Sequence, residues 1–267
     1  MHYVKNKRKE KISTCNLCQQ QKILSWDHVP PKGGIELTKV EMEVLFGKMS
    51  EGAKEKFYPK ESQNGVKYRT ICSECNAFLG SEYDEILNDF NRSCGRYLKT
   101  SLKLPTTVKH KVKPQRLLKA ILGHLVAAKI EIDETEFDQV AREYVLNIDV
   151  PLPTGLHVFY WMYPYDCSIT IRDFVMFTPR GTFNEPNVFQ TLKYFPVAYL
   201  CCNQEEYAGL QSLSRYGTCR LDEEVDLPIT LKKVKDPYWP ESPSDEDNNI
   251  VIVGQSALNS IYAVPRR

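Results

Sequence analysis

The chain has 267 residues, of which 42% are hydrophobic and 11% aromatic, enough to build a buried core in one large domain or two modest ones. No apolar run approaches the ~20 residues of a membrane-spanning helix, and the N-terminal residues lack the apolar segment of a signal peptide. We therefore expect a cytoplasmic protein with no membrane partner. The net charge is only +1, but basic residues cluster at 1–11 and 108–119, which permits a polyanion-binding face.

Nine cysteines are many for a chain without an export signal, and a reducing compartment disfavours disulfides. Four of them form two C-x-x-C pairs, Cys15/Cys18 and Cys72/Cys75. Each such loop directs two thiolates at one centre, so two loops complete a tetrahedral sulphur site for zinc. Because four thiolates leave no open coordination position, we expect a structural Zn²⁺ that compensates for the small core of a loop-rich N-terminal unit.

A helix is predicted directly after the second cysteine pair, because Leu79, Tyr83, Ile86, Leu87 and Phe90 share one helical face. Upstream of it, a short helix is predicted around residues 39–48. The stretch 101–114 contains two prolines and is predicted to be a linker.

After this linker the pattern predicts two helices, over 115–130 and 134–146, the second capped by Asp133 or Thr135. His124 lies within the apolar pattern of the first and is expected to be a core or interface histidine. Four later runs, rich in β-branched and aromatic residues, predict strands: LHVFYWMY, SITIRDFVMF, FPVAYLCC and NNIVIVG. We thus predict an α+β protein with an N-terminal zinc unit at 1–103 and an accessory α+β domain at 104–267, containing two helices and an antiparallel sheet.

The stretch SWDHVPPK places Asp27 beside His28 between the two cysteine pairs. If zinc joins residues 18 and 72, this stretch becomes a neighbour of Asn76. Asp27 and the amide oxygen of Asn76 are ligands suited to Mg²⁺ or Mn²⁺. His28 faces the other side of an extended segment and suits a general base that activates water against a phosphodiester. Two prolines after His28 are expected to keep both side chains aimed.

Over residues 12–93 these motifs, together with CSECNAFLG, resemble the HNH (ββα-metal) endonuclease superfamily, and in particular its recombination endonuclease VII type. The resemblance implies an N-terminal ββα-metal treble-clef unit in which the four paired cysteines hold zinc. It also implies His28 as the general base, Asp27 and Asn76 as ligands of a catalytic Mg²⁺ or Mn²⁺, and hydrolysis of DNA. Stand-alone members with an extra domain suggest a role in bacterial defence or a mobile element.

The chain departs from this family in the second hairpin strand, where an Asn is common shortly before the second cysteine pair. Here Lys67 or Tyr68 stands near that place, so the residue that orients the His28 ring is not identified. Lys32, Lys67 and Arg69 flank the proposed site and are expected to contact backbone phosphates. Trp26 is expected to pack beneath the hairpin.

Two interpretations of the function remain open. In the first, the chain is a nuclease and DNA is its expected partner. RNA remains the second candidate substrate, because the chemistry does not use the 2′-hydroxyl and only the shape of the groove would distinguish the two. The alternative function is a non-catalytic, zinc-stabilised nucleic-acid-binding module. For the C-terminal region the sequence leaves sensing, homodimer formation and target delivery with a partner protein equally open.

Overall fold

The computed structural model describes residues 2–49, 57–177, 187–207, 209–232, 237–241, 250–253 and 256–266. The fold is α+β, as predicted, with large antiparallel sheets and few helices. The helices are α1 (Leu45–Met49), α2 (Ser73–Leu79), α3 (Glu85–Lys99), α4 (Pro114–Ala127) and α5 (Glu136–Leu146), and a π-helical turn, Gly80–Asp84, joins α2 to α3. The strands are β1 (His2–Tyr3), β2 (Ile12–Thr14), β3 (Gln21–His28), β4 (Val40–Val44), β5 (Phe57–Tyr58), β6 (Lys60–Ser62), β7 (Lys67–Cys72), β8 (Thr107–Val112), β9 (His157–Met162), β10 (Ser168–Phe177), β11 (Asn187–Tyr194), β12 (Val197–Cys202), β13 (Gln211–Ser212), β14 (Val225–Thr230), β15 (Ile250–Val253) and β16 (Ile261–Pro265).

The largest sheet has nine strands in the order β13-β9-β12-β11-β10-β16-β4-β6, with β15 also pairing with β10. Neighbouring strands in it run antiparallel. Its central strands β9, β11 and β12 are buried along nearly their whole length, which explains their continuous apolar and aromatic sequence. The four predicted strand runs correspond to β9, β10, β12 and β15.

A second, smaller sheet has the order β2-β3-β7 and forms the N-terminal unit. Strands β3 and β7 pair antiparallel, and helix α2 begins directly after β7, so the unit consists of two paired strands followed by a helix. Helix α2 and the π-helical turn bury Leu79 and Tyr83, and α3 buries Leu87 and Phe90. The predicted helical face is therefore confirmed, although the π-helical turn interrupts the regular helix.

The two predicted C-terminal helices are confirmed as α4 and α5, and Thr135 with Asp138 forms a capping box at the start of α5. Two local predictions were wrong. The short helix predicted around 39–48 exists only in its second half, as α1 (Leu45–Met49), whereas residues 40–44 form strand β4, because buried valines and a methionine alternate there with two glutamates at period two. The proposed linker contains β8, whose alternating sequence pairs with β14.

Strands from both sides of residue 103 share the nine-stranded sheet, since β4 and β6 lie next to β16. One hydrophobic core also extends from the N-terminal unit through α4 to β12. The predicted boundary between residues 103 and 104 stays a prediction, but the two parts are packed against each other. Among the described residues, no helix has both the length and the apolar character needed to span a bilayer.

Candidate functional site

The four paired cysteines come together although 53 residues separate Cys18 from Cys72. All their sulphur atoms lie within 4.8 Å of one another, and Cys18 Sγ is 3.9 Å from Cys72 Sγ. Tetrahedral zinc with Zn–S bonds of about 2.3 Å requires sulphur atoms roughly 3.8 Å apart. The donor set and its spacing therefore fit a structural zinc ion.

Backbone geometry prepares this cysteine cluster. Cys72 ends β7 and precedes α2, and its backbone N–H donates to Cys15 Sγ at 3.2 Å. A hydrogen bond from the Cys75 thiol and backbone N–H groups lower the pKa of Cys15 to about 4, against the opposing effect of burial. A thiolate is the form that binds zinc, so Cys15 is in the ligating state at pH 7, whereas burial raises the pKa of Cys18 and the hydrogen bond with Cys15 raises that of Cys75.

Asp27 lies in the interior, with only 4% of its surface exposed. Its Oδ2 is 3.3 Å from Nδ1 of His124 on α4. The other nitrogen of that ring, Nε2, is 2.8 Å from Oδ1 of Asp84 in the π-helical turn. His124 is fully buried, as a core histidine was expected to be, but it connects two carboxylates from separate elements.

The protonation of this carboxylate–imidazole–carboxylate group follows from its neighbours. Burial alone would lower the pKa of His124, but the carboxylates of Asp84 and Asp27 outweigh it and raise the pKa to about 10. Burial raises the pKa of Asp27, although His124 opposes the shift. The group thus contains an imidazolium that stabilises a buried carboxylate, and this carboxylate faces α4 rather than solvent.

His28 is half-buried at the end of β3, opposite Lys67 on β7. Burial, and after it the charges of Lys32 and Lys67, lower its pKa to about 4, so the imidazole is neutral at pH 7. The backbone of Asn64 lies close enough to oppose this shift, while Nε2 is buried and has no hydrogen-bond partner in the described part of the chain.

Asn76 on α2 approaches the same strand from the zinc side. Its Nδ2 donates to the carbonyl oxygen of Trp26 at 2.9 Å and lies 3.4 Å from Ser25 Oγ. Asn76 thus contacts the two residues that precede the Asp27–His28 dipeptide, and a shared role of Asn76 and Asp27 as metal ligands stays a prediction. The carboxylate of Asp27, however, is engaged by His124, and the cysteine cluster is the one group of three or more His, Cys, Asp or Glu side chains in the described ranges with the spacing of an ion site.

The three cations expected to bind phosphate occupy different positions. Lys67 and Arg69 alternate with the buried Tyr68 along β7 and point to the open face of the sheet. Lys32 lies exposed in the loop after β3. Trp26 is 43% exposed and lies under the guanidinium of Arg69, 5.8 Å from ring centroid to Cζ, so the expectation that it packs beneath the hairpin was wrong.

The loop after His28 is held against helix α3. Asn88 Nδ2 donates to the carbonyl oxygen of Lys32 at 2.6 Å, and Arg92 Nη1 donates to that of Gly33 at 3.0 Å. A Cβ added at Gly34 would lie 2.7 Å from Asn88 Oδ1 and 3.1 Å from its backbone, so only glycine allows this approach. The sequence PPKGG therefore fixes the exit of β3 through docking as well as through proline stiffness.

Sequence reasoning missed His124 as the partner of Asp27 and Asp84 as the second partner of His124. Nothing local in the sequence links these positions, because His124 lies 97 positions after Asp27. The sequence weakly indicated that Trp26 is exposed, because it lies two residues before His28 on a strand and therefore shares the face of His28.

Comparison with known proteins adds no relative: no family model matches the chain, and neither a curated protein nor a solved structure is similar to it. Inferences about its activity therefore rest on its own geometry.

Proposed function

We propose that this chain is a cation-dependent endonuclease of the HNH type that hydrolyses phosphodiester bonds, with DNA as the expected substrate. The observation that carries the proposal is His28: a neutral imidazole whose Nε2 is unpartnered, opposite Lys67 on the neighbouring strand. Several other buried polar atoms of the described residues also lack a partner, and His28 Nε2 is distinguished from them by its position between the candidate metal ligands and two lysines. A lone pair on a neutral imidazole is what a general base requires.

The chemistry follows from these groups. The oxygen of a water molecule attacks phosphorus, its proton passes to His28 Nε2, the bond from phosphorus to the leaving sugar oxygen breaks, and that oxygen takes a proton from solvent. Because Nε2 is buried, the groups that cover it have to move before the water can reach it. Lys67 and Lys32, which already lower the pKa of His28, are placed to hold the phosphate charge. The cationic side chains thus serve both to keep the base unprotonated and to attract its substrate.

A bound Mg²⁺ or Mn²⁺ would supply stabilisation of the phosphate charge. Asn76 and Asp27 are the residues proposed to hold it. Asp27 would have to release His124 before it could bind an ion, so its present position does not fit a metal ligand. Cation dependence is decided by titrating Mg²⁺, Mn²⁺ and chelator in the cleavage assay.

The test of the base is His28→Asn, with His157→Asn as the matched control because His157 begins β9 away from the site. Supercoiled plasmid, single-stranded DNA circles and RNA are incubated with each protein and with Mg²⁺ or Mn²⁺. We expect His28→Asn to lose cleavage by about 100-fold or more while zinc content and circular dichroism stay unchanged. Equal cleavage by His28→Asn and wild type would refute the assignment.

A second candidate function is a non-catalytic nucleic-acid-binding module, favoured by the contact of Asp27 with His124. In that case the protein would bind nucleic acid at the same face but cleave none of the substrates with either cation. Binding by wild type and His28→Asn with equal affinity, without product in any assay, would select this function over hydrolysis.

A further inference from the structure

The N-terminal basic run lies alongside the small sheet, joined to β7 by one isolated bridge. Residues 5–9 run beside β7, where Lys7 pairs with Arg69 in a parallel bridge. Arg69 N–H donates to the Asn6 carbonyl at 3.0 Å, and Asn6 Nδ2 donates to the Lys67 carbonyl at 2.8 Å. Arg8 Nε donates to the Ile130 carbonyl at 3.1 Å, which attaches the segment to the rest of the protein.

Alternation along this segment divides its side chains between two faces. Val4, Asn6 and Arg8 are buried, whereas Lys5, Lys7 and Lys9 are exposed; we call these three the lysine row. Alternate residues on an extended strand are about 7 Å apart and share one face. The segment therefore presents a line of regularly spaced ammonium groups to solvent.

The lysine row lies on the same open face as the candidate site. Residues paired across strands project to the same side, so Lys7 accompanies Arg69. Arg69 covers one side of the Trp26 ring, and His28 lies two residues farther along β3. One surface thus contains the lysine row, an exposed aromatic ring and the proposed base.

The charges of this surface are not compensated within the protein. In the part of the chain that the structure describes, no ion pair involves the lysine row, Lys67 or Arg69. Arg69 Nη2 donates to the Arg8 carbonyl at 3.0 Å, but its Nε is buried without a hydrogen-bond partner among the same residues. Lys60 lies close enough to Lys7 that, after burial, this like charge contributes to lowering its pKa. Uncompensated, crowded cations indicate an anionic ligand.

We propose that this surface binds single-stranded nucleic acid, with phosphates on the lysine row and Arg69 and with one base stacked on the free side of Trp26. An exposed aromatic ring within a basic surface is the arrangement that binds unpaired strands, because stacking requires a base face that a duplex hides. This inference deepens the proposed function by naming its substrate class, and it rests on that function only for the cleavage that follows binding.

The binding test uses His28→Asn as the background, so that cleavage does not interfere, and a labelled 15-nucleotide oligothymidylate as the probe. Lys5→Gln/Lys7→Gln/Lys9→Gln is compared with Lys103→Gln/Lys109→Gln/Lys111→Gln, which removes the same charge from exposed lysines elsewhere. With about 0.7 counterions per lost contact, we expect the first triple variant to weaken binding roughly 100-fold at 0.1 M salt and to reduce the salt slope by about 2. Equal losses in the two triple variants would overturn the proposal.

Stacking has its own readout, because Trp26 is exposed whereas Trp161 and Trp239 are 7% and 8% exposed. We expect the oligothymidylate to quench tryptophan fluorescence, and we expect this quenching to disappear in Trp26→Phe and with an abasic oligomer of equal charge. Trp26→Ala should weaken binding about tenfold or more. Quenching that persists in Trp26→Phe, or tighter binding of a 15-base-pair duplex, would contradict the inference.

The two proposals fail in different ways. Single strands that bind with these properties but remain uncut with either cation leave the binding surface intact and refute hydrolysis. Single strands that are cut at the wild-type rate, with unchanged affinity in the lysine-row variant, refute this surface and leave hydrolysis intact.

Discussion

Two regions rich in basic residues have different surroundings in the folded protein. The lysine row at the N-terminus is exposed and unpaired among the described residues, beside Trp26 and His28. In the region 108–119, strand β14 lies against β8 and places Asp226 opposite Lys111. Arg116 Nε and Lys113 Nζ lie 2.8 Å and 3.0 Å from Asp222 Oδ1. A basic run therefore becomes a candidate binding surface only where the fold supplies no acids opposite it.

Lys119 shows the difference most clearly. It is fully buried, and its ammonium donates to the carbonyls of Tyr144 at 2.5 Å and Asn147 at 2.9 Å. Burial lowers its pKa to about 8. This lysine closes the C-terminal end of α5 against α4, so it serves the fold rather than a ligand.

The largest effect is expected from disrupting the cysteine cluster in the N-terminal unit. Cys72→Ser should lose bound zinc and folded protein together, because structural zinc contributes about 10 kcal/mol or more to the folding of small units. Metal analysis and circular dichroism measure the outcome. Cys219→Ser, half-buried outside the cluster, is the control and should retain both. A folded, metal-loaded Cys72→Ser protein would show that the cluster is not needed.

The same substitution in both regions sharpens the comparison. Lys119→Met should reduce the free energy of unfolding by about 2 kcal/mol, since it leaves two buried carbonyls without a donor. Lys7→Met changes an exposed side chain and should stay within about 0.5 kcal/mol. Urea unfolding of both variants gives the two values, and similar losses would contradict the assigned roles.

Beside the lysine row, burial and, after it, the charges of Lys32 and Lys67 lower the pKa of His28 from its ordinary value of 6.5 to about 4. Between these values the unfolded chain binds the proton more readily, so stability falls as the pH drops from about 6.5 towards about 4. Allowing for solvent screening, acidification from pH 7 to 5 should cost about 1 kcal/mol more in wild type than in His28→Asn.

Urea unfolding at both pH values measures this difference in stability. A proton NMR titration adds the site-specific control: Lys67→Gln should raise the pKa of His28, and Lys109→Gln should leave it unchanged. A His28 resonance that titrates near its ordinary pKa of 6.5 would show that burial and the neighbouring lysines do not lower it.

The smallest effect concerns the acids of the second region. Asp222→Asn removes the counter-charge of Arg116 and Lys113, yet it creates no aromatic surface beside them. We expect oligothymidylate affinity to change by less than about threefold, since one exposed charge alters one screened contact. A gain in affinity as large as the loss in the lysine-row variant would mean that the two regions differ in binding only because one of them is paired with acidic residues.

Local sequence patterns predicted much of this structure. The two C-x-x-C pairs, the apolar face from Leu79 to Phe90 and the helix around His124 are recovered, because ligand spacing and helical periodicity are properties of nearby residues. The strand at 40–44 was missed although its period-two alternation was visible, and β8 was missed because two prolines outweighed a six-residue alternating run. These errors concern short elements, whose patterns are weak beside their flanking residues.

The sequence by itself predicted which four cysteines come together and that they fit zinc, since the spacing within each C-x-x-C loop is a local property. Tertiary structure alone decided that Asp27 faces His124, that the backbone of Asn64 lies near His28, and that one basic run is paired while the other is open. These outcomes depend on contacts between residues about 35 to 110 positions apart, and charge pairing over such distances is set by how strands and helices pack rather than by neighbours in the chain.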